Sequence, residues 1–123
     1  MKYLYLLSLL FITSCATISF DALEYDRFIS IQEKAISMKQ LCGTPDIQLA
    51  ITQLKQDMDH QYTYEMYRAI KPIIADASKN LKDIIDNFYL TSKDKPTSMI
   101  YCTQKLDNIS IGSQLLIKEL GKF

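Results

Sequence analysis

Three cysteines, a single histidine and a group of tyrosines carry the most distinctive chemistry in this chain of 123 residues. A thiol can accept lipid, bond to a second thiol or ligate a metal, according to its compartment and its neighbours. Cys15 stands directly after an apolar run, whereas Cys42 and Cys102 stand far down the chain within apolar stripes. Two sulfurs and one imidazole fall short of the four ligands of a structural zinc site. His60 would need a nucleophile and an orienting acid to serve as a general base. Asp57 and Asp59 are near it in sequence but belong to a predicted helix end, so His60 reads as a surface histidine. Glu24, Glu33, Glu65 and Glu119 are spaced singly and read as isolated, with nothing to form a paired-carboxylate site. The 3 glycines, two of them at predicted helix ends, make no phosphate-cradling loop. Asn108-Ile109-Ser110 matches a glycosylation triplet but falls in mid-helix. These residues lead to no enzyme and no cofactor.

The tyrosines are the compositional oddity, 8 in all. Tyr62, Tyr64 and Tyr67 crowd one predicted helix junction beside Met66, and aromatic and Met clusters are enriched at protein interfaces. The trio is therefore a candidate interaction surface, with core filling at a bundle end as the other reading. Basic and acidic residues balance at 14 each and are scattered singly. That pattern gives no reason to expect nucleic acid, whose phosphates call for clustered Lys and Arg.

The elements that position these residues begin with a leader. Lys2 supplies a short positive start, and Tyr3 to Ile12 is apolar but for Ser8. As helix this run spans about 15 Å, half the hydrocarbon core of a bilayer, so it is too short to cross one and has the length of a secretory apolar segment. It ends in Ile12-Thr13-Ser14-Cys15, which resembles the lipobox of bacterial lipoproteins: an aliphatic residue, two small ones, then cysteine. The resemblance implies a signal peptide over 1–14, lipid on the Cys15 sulfur, and a tether over 15–20 ahead of a domain over 21–123. Ala16 stands where an Asp would retain an enteric lipoprotein in the inner membrane, so the resemblance implies an outer-membrane anchor facing the periplasm. Two alternatives stay open. Ser14 and Ala16 also fit ordinary signal cleavage after Ala16, giving a secreted or soluble periplasmic protein, and residues 3–12 could be a buried helix of a cytosolic one.

Lipid on Cys15 leaves Cys42 and Cys102 as an even pair, which suits an oxidising compartment. Plain secretion leaves the same pair. The apolar residues place both thiols inward. Asp21 opens a helix with Glu24 in a capping-box-like relation, and Phe28, Ile31, Ala35, Met38 and Cys42 recur at alternating spacings of three and four. Gly43 ends this helix, and Thr44-Pro45-Asp46 restarts the chain as N-cap, N1 and first-turn acid. Ile47, Ala50, Ile51, Leu54 and Met58 form the next stripe, which weakens at Asp59-His60-Gln61, where a turn or kink is expected before Thr63. A third stripe is read through Met66, Ile70, Ile73, Ala77, Leu81, Ile84 and Phe88, with Pro72 either bending a helix or beginning one. Thr91 to Thr97 reads as a loop. Thr97 or Ser98 caps a last helix carrying Met99, Cys102, Leu106, Ile109, Ser113, Leu116 and Leu120.

With no period-two segment, the fold class is all-α: a small antiparallel four-helix bundle, stapled from its first helix to its last by a Cys42–Cys102 disulfide. Two buried free thiols are the alternative. The mature part, through Phe20-Asp21-Ala22-Leu23-Glu24-Tyr25, Leu41-Cys42 and Tyr101-Cys102-Thr103-Gln104-Lys105-Leu106, also resembles small lipoproteins encoded by phages and their bacterial hosts. That group brings no function with it. The expectation is a membrane-tethered, non-catalytic binding module whose partner is another envelope protein, as in exclusion, immunity or lysis control. The alternative is a structural or self-assembling envelope subunit.

Overall fold

The computed structural model describes residues 21–68 and 71–122. The leader, Cys15 and the tether lie outside the described residues. Four helices account for nearly all of the rest: α1 (Ala22–Met38, extended by a 3-10 turn over Lys39–Leu41), α2 (Ile47–Met66), α3 (Pro72–Ser92) and α4 (Met99–Leu120). No strand occurs among the described residues. Each helix packs on two neighbours, α1 on α4 and α2, and α3 on α2 and α4, with the α1–α4 face the most extensive. The result is the antiparallel four-helix bundle that the periodicity predicts.

The first and last stripes fall where the spacing places them. Phe28, Ile31, Ala35 and Met38 from α1 and Cys42 just past its extension are buried, as are Cys102, Leu106, Ile109, Ser113, Leu116 and Leu120 from α4. Between them, Cys42 and Cys102 form a disulfide with Cα atoms 5.8 Å apart. The bond closes a loop across 60 residues, a constraint worth about 4 kcal/mol in the chain-entropy model. Gly43 makes the turn beside it with φ at +84°. The backbone there favours glycine, and a Cβ would lie 3.0 Å from the Met99 side chain, which would have to give way.

The middle of the chain departs from the expected pattern. No kink occurs near Asp59 or Thr63: α2 runs unbroken to Met66. Its buried face continues past Met58 through Gln61 and Glu65, polar residues that hold the same spacing of three and four. After Met66 the next described helix begins at Pro72, which takes the N1 position of α3, with Lys71 before it extended (φ −65°, ψ 143°). Within α3, Leu81 and Phe88 are buried as expected, while Ile74, Ser78 and Ile85 take the inward places read for Ile73, Ala77 and Ile84. Ile74, Ser78, Leu81, Ile85, Phe88 and Ser92 are buried; Ala77 and Ile84 only flank the core, and Ile73 and Met66 are more than half exposed. Ile70 lies outside the described residues.

The caps also differ in part. Asp46, not Thr44, precedes α2 and makes no side-chain capping bond, while the Thr44 hydroxyl donates back to the Leu41 carbonyl. Thr91 belongs to α3, and Ser98 rather than Thr97 caps α4 by accepting from the Tyr101 N–H. Met99, read as part of the last stripe, is 62% exposed.

Candidate functional site

The antiparallel arrangement gives the bundle two ends. The disulfide end holds the α1–α2 turn and the α3–α4 loop, which share a shallow cleft lined by Thr44, Pro45, Ile47 and residues 92–97. The opposite end, here the Asp21 end, gathers the start of α1, the close of α2, the start of α3 and the close of α4. It holds the densest group of polar side chains in the core.

That group starts with the cap of α1. Asp21 accepts from the N–H groups of Leu23 (2.9 Å) and Glu24 (3.2 Å). It also accepts from the Tyr64 hydroxyl and lies 3.0 Å from the Arg68 guanidinium. The Tyr64 hydrogen bond, followed by Arg68, holds the Asp21 carboxyl below the usual range against the opposing effect of burial. The same bond to an anion pushes the Tyr64 phenol up. The Tyr64 ring lies near two guanidinium groups, Arg27 at 5.2 Å and Arg68 at 5.9 Å from its centroid, within cation–π range.

One turn further in, Glu24 is 1% exposed and ion-paired to Arg68. Glu24 is therefore no reciprocal capping-box residue; its carboxylate serves the α1–α2 contact. Glu65, also 1% exposed, accepts from Gln61 Nε2 (3.1 Å) and from the Ser78 hydroxyl (2.6 Å). Burial pushes the Glu65 carboxyl up despite those two hydrogen bonds. Glu24 Oε1 and Gln61 Oε1 are buried without a hydrogen bond from the described residues. Two of the carboxylates read as isolated are thus core residues of one polar layer.

A second network covers the α2–α3 face. Lys55 bonds Asp59 (2.8 Å) and Asp86 (3.3 Å), while Lys82 bonds Asp86 and lies 3.7 Å from Asp59. Burial alone would raise Asp86, but hydrogen bonds from Lys82 and Lys55 outweigh it and hold the carboxyl below its usual range. Tyr62 lies under Lys82 and Tyr89 under Lys55, each ring centroid 5.6 Å from the ammonium.

The candidate tyrosines are therefore not one surface. Tyr62 packs against the core beneath α3, Tyr64 bridges to α1, and Tyr67 alone is open to solvent, at 87% exposure. Cys42 and Cys102 are brought together as expected. His60 is exposed in the middle of α2, in a shallow groove with Arg27, Ser30, Lys34 and Asp57, and its neighbour Asp57 is taken by an ion pair to Lys34. Among the described residues no group of three His, Cys, Asp or Glu side chains could hold a metal ion, and no helix is long and apolar enough to cross a membrane. No family model matches the chain, no curated protein is similar to it, and no solved structure is similar to it.

The polar layer escaped the sequence reading because apolar periodicity ignores polar side chains. The available signal was register: Gln61 and Glu65 extend the α2 stripe from Met58, and Glu24 stands four residues before Phe28.

Proposed function

We propose that the chain is a lipid-anchored, non-catalytic module of a bacterial envelope that binds another envelope protein, as in exclusion, immunity or lysis control. The observation that carries this reading is the Cys42–Cys102 bond. A buried structural disulfide suits an oxidising compartment, and pairing these two cysteines leaves Cys15, at the end of its lipobox-like run, for lipid. The resemblance of residues 12–15 to a lipobox supports the anchor, and Ala16 after the cysteine supports the outer-membrane address.

A surface for the partner is offered at the disulfide end. Met99 and Ile100, 62% and 75% exposed, open a shallow, largely apolar groove with Thr103 and Gln104. Apolar side chains held on a rigid helix at the stapled end suit a protein contact.

The test has three readings. Palmitate labelling of the wild type, lost in Cys15→Ser, is the outcome expected for the anchor; an unlabelled periplasmic protein points to plain secretion. A photo-crosslinking residue at position 100, but not at the exposed control position Asn87, should capture one defined envelope protein. Light scattering of the detergent-solubilised protein should give a monomer. A stable homo-oligomer with self-crosslinks at position 100 favours the self-assembling subunit instead.

A further inference from the structure

The Asp21 end leaves apolar side chains that the bundle does not bury. Met66 and Tyr67 close α2 and Ile73 opens α3, at 55%, 87% and 55% exposure. Leu23 in the first turn of α1 and Leu115 near the close of α4 are also more than half exposed. Ile73 and Leu115 line one shallow groove with Lys118, Glu119 and Lys122, so this end carries apolar side chains rimmed by lysines. Tyr67 differs from Tyr62 and Tyr64 here, since those two rings serve contacts between helices.

Exposure by itself does not distinguish this end. The disulfide end shows Leu49, Leu90, Met99 and Ile100 to a similar degree. The distinction lies in where the chain leads. Residue 20 departs from the Asp21 end, and the five residues from 16 to 20 reach about 17 Å when extended. A lipid on Cys15 therefore holds this end, and not the other, within reach of the bilayer surface.

We propose that the Asp21 end is a bilayer contact, in which Met66, Tyr67 and Ile73 seat in the headgroup layer and the bundle stands with its disulfide end outward. This rests on the lipidation reading of Cys15 and adds orientation to it. A tyrosine ring, apolar in body and polar at its tip, suits that layer. Met66 and Ile73 beside it supply apolar surface, and Lys118 on the rim suits anionic headgroups. The acyl chains supply attachment; the tip fixes which way the domain faces. Helices of about 20 residues then carry the Met99–Ile100 groove roughly 30 Å from the surface.

The chain contains no tryptophan, so single indoles report position cleanly. The full chain, expressed in a bacterium and carrying its lipid, is reconstituted into vesicles of phosphatidylethanolamine and phosphatidylglycerol with or without brominated acyl chains. The Tyr67→Trp protein should lose most of its emission to the brominated lipid, while Ile100→Trp keeps nearly all of its own. Ile73→Trp serves as a second probe should Tyr67→Trp fail to fold by circular dichroism. Equal and slight quenching at both ends overturns the contact. A protein that takes palmitate yet is unquenched at positions 67 and 73 sinks the tip alone; one that takes no palmitate sinks the lipidation reading, and the tip with it.

Discussion

The two ends of the bundle are held by different chemistry. At the disulfide end, the core holds Met38, Ile51, Phe88 and Leu106 together with a covalent bond and one buried polar side chain, Ser92. At the Asp21 end, Phe28, Ile74 and Leu116 share the core with Glu24, Gln61, Glu65 and Ser78. The first end is therefore expected to respond to loss of its covalent bond, and the second to protonation and to loss of Arg68. A small domain can hold one end by linkage and the other by electrostatics, and each then fails under different conditions.

The largest effect is expected from opening the covalent end. Reducing Cys42–Cys102, or replacing both residues by Ser, should lower unfolding free energy by about 4 kcal/mol in the loop-entropy account. For a domain whose whole stability is commonly about 5–15 kcal/mol, that is a large fraction. Thermal melts with and without reductant check it, with helicity retained at low temperature. An unchanged melting temperature would mean that the apolar layers alone hold this end.

The next effect belongs to the polar end. Arg68→Met leaves the Glu24 carboxylate buried without its cation. Removing one partner of a buried pair commonly costs about 3–5 kcal/mol. Arg68 is partly solvated, with 21% of its side chain exposed, so we expect about 2–3 kcal/mol. Adding Glu24→Gln should return at least part of that loss, because the penalty lies in the stranded charge. Urea denaturation at neutral pH measures both. Equal instability of the single and double variants would assign the loss to packing of the Arg68 stem.

The same contrast explains what the sequence could reveal. Alternating spacings of three and four find α1 and α4 with their buried faces, because those stripes are apolar almost throughout and each carries a cysteine. They fail at Asp59–Gln61 because Gln61 and Glu65 occupy inward positions. Burial of the carboxylates is tolerated through partners distant in sequence, Ser78 for Glu65 beside its helix neighbour Gln61, and Arg68 for Glu24. Those partners are 13 and 44 residues away in sequence, so no local window contains the information. The α3 stripe, right at Leu81 and Phe88, goes wrong at Ile73, Ala77 and Ile84 from the same cause. With α2 taken to stop early, Met66 joins the next stripe, and Ile73 is preferred over Ile74 although both are isoleucine. The three tyrosines part for a related reason: Tyr62 and Tyr64, two apart on α2, face different ways, and Tyr67 stands past its last residue, so three neighbours in sequence take three positions.

The smallest effect expected is one of slope, at Glu65. Burial raises its carboxyl above the usual range in the folded protein, whereas the unfolded chain titrates near the ordinary Glu value of about 4.3. A raised folded pKa means that the folded state binds the proton more tightly. Its contribution to stability is fully present below the unfolded value and is lost as pH rises through the folded one. Asp21 acts with the opposite sign. Its carboxyl is lowered by the Tyr64 hydrogen bond, so its contribution is present above the unfolded value of about 3.9 and is lost as pH falls through the folded one. The two groups therefore separate by pH window, with Glu65 governing the range above about 4.3 and Asp21 the range below about 3.9. Glu65→Gln keeps an acceptor for the Ser78 hydroxyl and removes the proton equilibrium. Urea midpoints of wild type and variant, followed upward from pH 4.5, should diverge in favour of the variant until Glu65 has fully ionised, then run parallel. The slope of that divergence cannot exceed about 1.4 kcal/mol per pH unit for a single proton. Curves parallel over the whole range would show that Glu65 titrates alike in the folded and unfolded chain, and that the polar layer admits water.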